Sequence, residues 1–145
     1  MTPVKTALQL LVLALLLSML SVFARQAAAA PGYTDINNEQ LKILLAKGMT
    51  LVDIRRPEEW RQTGIIKGAH KITLFNAKGR IEPDFQQKFE SITDPEKPVI
   101  LICRTGSRTA IASKLISQQL GYKHIYNVKH GITGWIRQGY PVVRN

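Results

Sequence analysis

Cys103 opens the hexapeptide Cys103-Arg104-Thr105-Gly106-Ser107-Arg108, a run of residue types suited to sulfur and anion chemistry. It is the only cysteine among 145 residues, so no intrachain disulfide consumes it. A lone cysteine is ordinarily a small buried hydrophobe. In an exported chain it marks either an intermolecular bridge or a reactive thiol. The neighbours favour reactivity. The thiolate is the nucleophilic form of the side chain, and Arg104 and Arg108 supply permanent positive charge beside it. Gly106 lets the backbone turn so that successive N–H groups point inward as an anion nest. Before the loop, Val99 to Ile102 is a continuous apolar run, the mark of a strand covered on both faces. After it, Thr109 to Leu120 has helical spacing and ends at Gly121. The cysteine is therefore expected where a strand ends and a helix begins, with the helix amides and dipole aimed back at the sulfur. A preformed thiolate needs no separate general base.

The surrounding elements must hold that loop. Asn37 and Gln40 stand in capping-box relation at the start of a helix carrying Leu41, Leu44 and Leu45, and Gly48 stops it. Thr50 to Ile54 reads as a short strand, and Pro57-Glu58-Glu59-Trp60 as a helical turn with acids at its start. Ile65 to Ile72 leads into another short strand, and Asn76 to Arg80 is a surface turn. Asp84 to Ser91 is expected helical with Phe85 and Phe89 on one face. Ile125 to Val128 is a further strand, and Ile132 to Gln138 a last helix with Trp135 inward. Strands alternating with helices predict an α/β fold, a parallel sheet flanked by helices on both faces. Ligands then bind beyond the carboxyl ends of the strands, where Cys103 falls.

Residues 1–29 differ from the rest. Lys5 precedes an apolar stretch from Leu8 to Ala24, followed by Arg25-Gln26 and small alanines, which is the pattern of a secretory leader. Pro31 disfavours a cut after Ala30, so the expected cut follows Ala29, leaving a domain over 30–145. The alternative is an uncleaved anchor, since the apolar stretch is near the lower limit for spanning a bilayer. The expected location is thus outside the cytoplasm, in the periplasm, with membrane contact only through a retained N-terminal segment. Loss of the leader removes two cations and no acid, lowering the net charge from +10 to +8. That excess suits small anionic substrates. The basic residues are scattered and lack an aromatic platform, which argues against nucleic acid.

Several segments, in order, resemble the rhodanese sulfurtransferase family. They are Leu51-Val52-Asp53-Ile54-Arg55-Arg56-Pro57-Glu58-Glu59-Trp60, then Gly64 to Ile72, the loop Cys103 to Arg108, and Gly131-Ile132-Thr133-Gly134-Trp135 to Gly139-Tyr140-Pro141. The resemblance implies a single rhodanese-like domain. Its cysteine would take sulfane sulfur from a donor such as thiosulfate, form a persulfide, and pass the sulfur to a thiophilic acceptor such as cyanide. Position by position, Cys103 is the nucleophile and the amides of Arg104, Thr105, Gly106, Ser107 and Arg108 form the cradle. Arg104 and Arg108 are candidates for gripping the donor's sulfonate. Asp53 and Arg55 match the family's strand-end Asp-x-Arg and are read as supporting the site. Two other functions stay open: a persulfide carrier serving one protein partner, and phosphatase or arsenate reductase activity. The related phosphatases use Cys-x5-Arg, whereas here the arginine gives Cys-x4-Arg and Thr109 holds the later position, favouring sulfur. The chain departs from the family at Ile65-Ile66-Lys67, where a His and a Pro are usual, and at His130-Gly131, where glycines are usually paired.

Other residues are given bland roles. His70, His124 and His130 are far apart with no ligand partners in sequence, so no metal or other cofactor is expected. Glu58 and Glu59 are adjacent, point in different directions on a helix, and are read as complementing its N-terminus. Trp60 and Trp135 are read as packing residues.

Overall fold

The computed structural model describes residues 32–144, so the leader expected over 1–29 lies outside the described residues. In chain order the elements are β1 (Thr34–Ile36), α1 (Asn38–Ala46), β2 (Thr50–Asp53), α2 (Pro57–Thr63) and β3 (His70–Lys71). They continue as α3 (Phe85–Glu90), β4 (Val99–Ile102), α4 (Ser107–Leu120), β5 (Ile125–Val128) and α5 (Gly131–Arg137). The strands form one sheet in the order β1-β5-β4-β2-β3, with every neighbouring pair parallel. Central β4 is buried at all four residues, which accounts for its unbroken apolar sequence.

Alternate residues of the strands feed two cores. Val52, Val99, Leu101 and Cys103 face α3 and α4, packing with Phe85, Phe89, Ala112 and Ile116. Leu51, Ile100, Ile102 and Val128 face the other way, onto Leu41, Ile132 and Trp135 of α1 and α5. Helices thus cover both faces, as expected for a parallel sheet. Register pairs Asp53 with Ile102. The chain therefore leaves β2 and β4 at the same level, bringing Arg55 and Cys103 to one edge of the sheet.

Three details differ from the sequence reading. β1 was not expected, because three residues with a single buried side chain, Ile36, carry no periodic signal. Helix α4 begins at Ser107 rather than Thr109, since its N-cap is Gly106 in the left-handed region and no side-chain cap marks the start. Ile111 sits at helical spacing but is 60% exposed. Among the described residues, no helix is long and apolar enough to cross a membrane.

Candidate active site

Cys103 is fully buried at the base of the loop joining β4 to α4. Its Sγ accepts the Gly106 N–H at 3.2 Å and lies 3.4 Å from Thr109 Oγ1. The Thr109 hydroxyl also donates to the Gly106 carbonyl at 2.9 Å. A hydroxyl with one donor and two lone pairs suits either form of the sulfur: it accepts from a thiol, or turns its proton to a thiolate.

The loop backbone is turned by its neighbour in space, not by its own sequence alone. The carbonyls of Cys103 and Arg104 accept from the amides of Ile132 and Thr133 at 2.9 and 3.0 Å, in the first turn of α5. With those carbonyls engaged, the N–H edge of the loop is left for a ligand. Among the described residues, the amides of Arg104, Thr105, Ser107, Arg108 and Thr109 find no protein acceptor. Successive unpaired amides at a loop and helix start form an anion site. Two glycines permit the fit. A Cβ on Gly106 (φ +95°) would stand 2.0 Å from the Lys129 carbonyl oxygen. One on Gly131 (φ +55°) would stand 2.5 Å from the carbonyl oxygens of Cys103 and Arg104.

The two arginines of the loop part company. Arg104 is exposed and forms no ion pair among the described residues. Arg108 is gripped by Glu59, with Nη1 donating to Oε2 at 2.8 Å and Nη2 to Oε1 at 2.5 Å. Glu59 Oε2 also accepts the Arg56 amide at 3.1 Å, so one buried carboxylate caps α2 and clamps the first turn of α4. Burial alone would push the Glu59 carboxyl up. The Arg108 and Arg56 hydrogen bonds and charges outweigh it and hold the carboxyl at about 2, against an ordinary 4.5. The Arg108 guanidinium is correspondingly raised, first by its hydrogen bond to Glu59 and, against desolvation, by the charges of Glu59, Cys103 and Asp53.

Sequence reasoning passed over Glu59. The capping pattern was visible, but its partner lies 49 residues away. Thr109 was read as a helix start and as the residue at the longer-loop arginine position, not as a partner of the sulfur, 3.4 Å away.

Asp53 and Arg55 form a buried ion pair. Arg55 Nε reaches Asp53 Oδ1 at 2.9 Å and Nη2 reaches Oδ2 at 2.7 Å. Its remaining donors bind Thr63 Oγ1 at 2.7 Å and the Gly64 carbonyl at 2.9 Å. These contacts tie the end of β2 to the C-terminal end of α2, the helix that carries Glu59.

Outside the loop lies an open cleft of about 490 Å³, lined by Phe75, Asn76, Arg104, Arg108, Ile111 and Glu59 among others. Among the described residues no cluster of His, Cys, Asp and Glu has the makings of a metal site.

Comparison with known proteins converges on one family. The rhodanese-like domain model matches residues 37–138. A sulfurtransferase of Allochromatium vinosum is 32% identical over 111 residues, covering 75% of this chain and 94% of that protein. Thiosulfate sulfurtransferase 18 of Arabidopsis thaliana is 26% identical over 114 residues, covering 74% and 82%. The polysulfide-sulfur transferase of Wolinella succinogenes superposes with a TM-score of 0.60 at 28% identity, over 86% of this chain and 89% of the other.

Proposed function

The chain belongs to the rhodanese-like domain family, and from that membership we propose that it is a sulfurtransferase-type enzyme working through a persulfide on Cys103. In the first half-reaction the Cys103 thiolate attacks the outer sulfur of a donor, thiosulfate being the simplest. A Cys–S–S bond forms, the bond from the outer sulfur to the sulfonate breaks, and sulfite leaves with the electron pair. In the second, a thiophilic acceptor such as cyanide takes the outer sulfur as thiocyanate and returns the thiolate. No electrons enter from outside.

The observation that carries this reading is the set of amides after Cys103: that of Gly106 on the sulfur at 3.2 Å and, among the described residues, five more in the loop and helix start without acceptors. Such fixed donors match the negative charge carried by thiolate and persulfide through the cycle, and they need no reorganisation. The loop keeps Cys-x4-Arg, with Arg108 already committed to Glu59. That leaves little provision for gripping a tetrahedral phosphate ester. In the same reading residues 1–29 act as an export leader or a tether, placing the chemistry in the periplasm.

The test is steady-state thiocyanate formation from thiosulfate and cyanide beside hydrolysis of an aryl phosphate. Turnover of the first pair only supports the proposal. Aryl phosphate hydrolysis abolished by Cys103→Ser would replace it with a phosphatase. Sulfur loading without thiocyanate turnover would favour a carrier serving a protein partner.

A further inference from the structure

The sulfur chemistry leaves one part of the surface without a role. Among the described residues four large apolar side chains stand well exposed: Ile43, Ile81, Ile111 and Ile136. Scattered single exposures are ordinary. Ile81 and Ile111, 44% and 60% exposed, are not scattered, because both border one groove beside α4. We propose that this groove docks a second, different protein through a segment with an apolar ridge and acidic flanks. The proposal does not depend on what Cys103 carries.

The groove runs between α4 and the chain from Phe75 to Phe85. One end is the open cleft of about 490 Å³, where Phe75 and Ile111 form part of the wall. The next recess, about 190 Å³, is lined by Ile81, Pro83, Phe85, Leu115 and Leu120 among others. The two are joined along both walls. Ile111 and Leu115 lie one turn apart on α4 and share a helix face. Phe75 pairs with Ile81 in an antiparallel bridge across the turn from Asn76 to Arg80. Asn76 fixes that turn, its Oδ1 accepting the amides of Lys78 and Arg80 at 3.0 Å each. The recess is thus shaped before a partner arrives. Apolar side chains spaced along such a recess receive the i, i+3, i+4 side of an amphipathic helix.

Charge decides the occupant. Lys78 and Arg80 stand on the turn, Lys114 on α4 between Ile111 and Leu115, and Arg104 at the loop end. All four are exposed, and none forms an ion pair among the described residues. Arg56 and Arg108 also line the groove but are already matched by Glu58 and Glu59. Among the described residues Glu82 is the one unpaired acid in the lining. Four unmatched cations against one unmatched acid leave an excess that a partner's carboxylates satisfy. A second copy would set these cations against their own kind, on a chain of net charge +10. An anionic bilayer has the right charge but is flat, and brings no ridge to a recess.

The experiment measures binding to the purified protein by fluorescence anisotropy. The probe is a labelled amphipathic peptide of Leu and Glu, set beside versions with Lys for Glu or Ser for Leu. The Leu/Glu peptide is expected to bind about tenfold more tightly than either. Ile81→Ser should weaken it about fivefold, and Lys114→Glu about fivefold. Ile43→Ser, on α1 across the sheet, should leave binding unchanged. Equal binding of the three peptides, or equal losses from Ile43→Ser and Ile81→Ser, overturns the proposal. So does a dimer in sedimentation that Ile81→Ser dissolves, or binding to phosphatidylglycerol vesicles, lost in Ile81→Ser, in place of the peptide. Loading of Cys103 by thiosulfate should be unchanged in these variants, so a failure to dock and a failure to carry sulfur are read separately.

Discussion

Replacing Glu59 by Gln removes one charge from the contact that ties α2 to the cysteine loop and keeps its shape. The carboxyl is held at about 2 against 4.5 in the unfolded chain. That depression corresponds to roughly 3 kcal/mol at about 1.4 kcal/mol per pH unit. Water reaches part of the pair, whose Arg108 and Glu59 side chains are 27% and 9% exposed. Discounted for that screening, the expected contribution is about 2 kcal/mol. The sign is that of a depressed carboxylate. The stabilisation is complete above about pH 5.5 and is lost as the pH falls through 4.5 toward 2, with more than half gone by about pH 3. Urea unfolding of the native protein and Glu59→Gln at pH 7 and pH 3 should therefore give a gap that narrows on acidification. Arg108→Gln should show little further loss when combined with Glu59→Gln, because the two changes remove one interaction. A gap of equal size at both pH values, or strictly additive losses, would refute the assignment of Glu59 as a charged clamp.

Three other substitutions probe the scaffold. Arg55→Met leaves the Asp53 charge buried without its partner and should cost about 3–5 kcal/mol, read as a lowered urea midpoint. Thr109→Val keeps the volume but strips the Gly106 carbonyl and Sγ of the hydroxyl. A loss of about 1–2 kcal/mol with slower sulfur loading is expected from thermal melts and quenched mass analysis. Gly131→Ala forces a side chain into the left-handed region, at about 1–2 kcal/mol, and drives its Cβ into the Cys103 and Arg104 carbonyls. Its loading rate should fall more than its melting temperature implies.

The parts of the fold that repeat were legible in the sequence. Val99 to Ile102, the Asn37–Gln40 capping box and the inward Trp135 are local patterns, and each stands where spacing put it. Cys103 at the end of β4 followed from the same pattern. Contacts made across the sheet were not legible. The clamp of Glu59 on Arg108 joins α2 to α4, and a residue type that complements a helix start gives no sign of a second partner. The turning of the loop carbonyls toward Ile132 and Thr133 depends on Gly131, whose need for positive φ becomes visible only once α5 is seen against the loop. Arg108 shows the difference most plainly. Sequence presents it as a free anion-binding cation, and folding gives it a resident carboxylate.

The central claim is that Cys103 carries sulfur held by its loop amides. Intact-mass measurement of the protein after thiosulfate, and again after cyanide, tests it most directly. The account predicts a gain of one sulfur atom that cyanide removes and that never forms on Cys103→Ser. A protein that gains no sulfur, or one whose adduct survives the loss of Cys103, would contradict it.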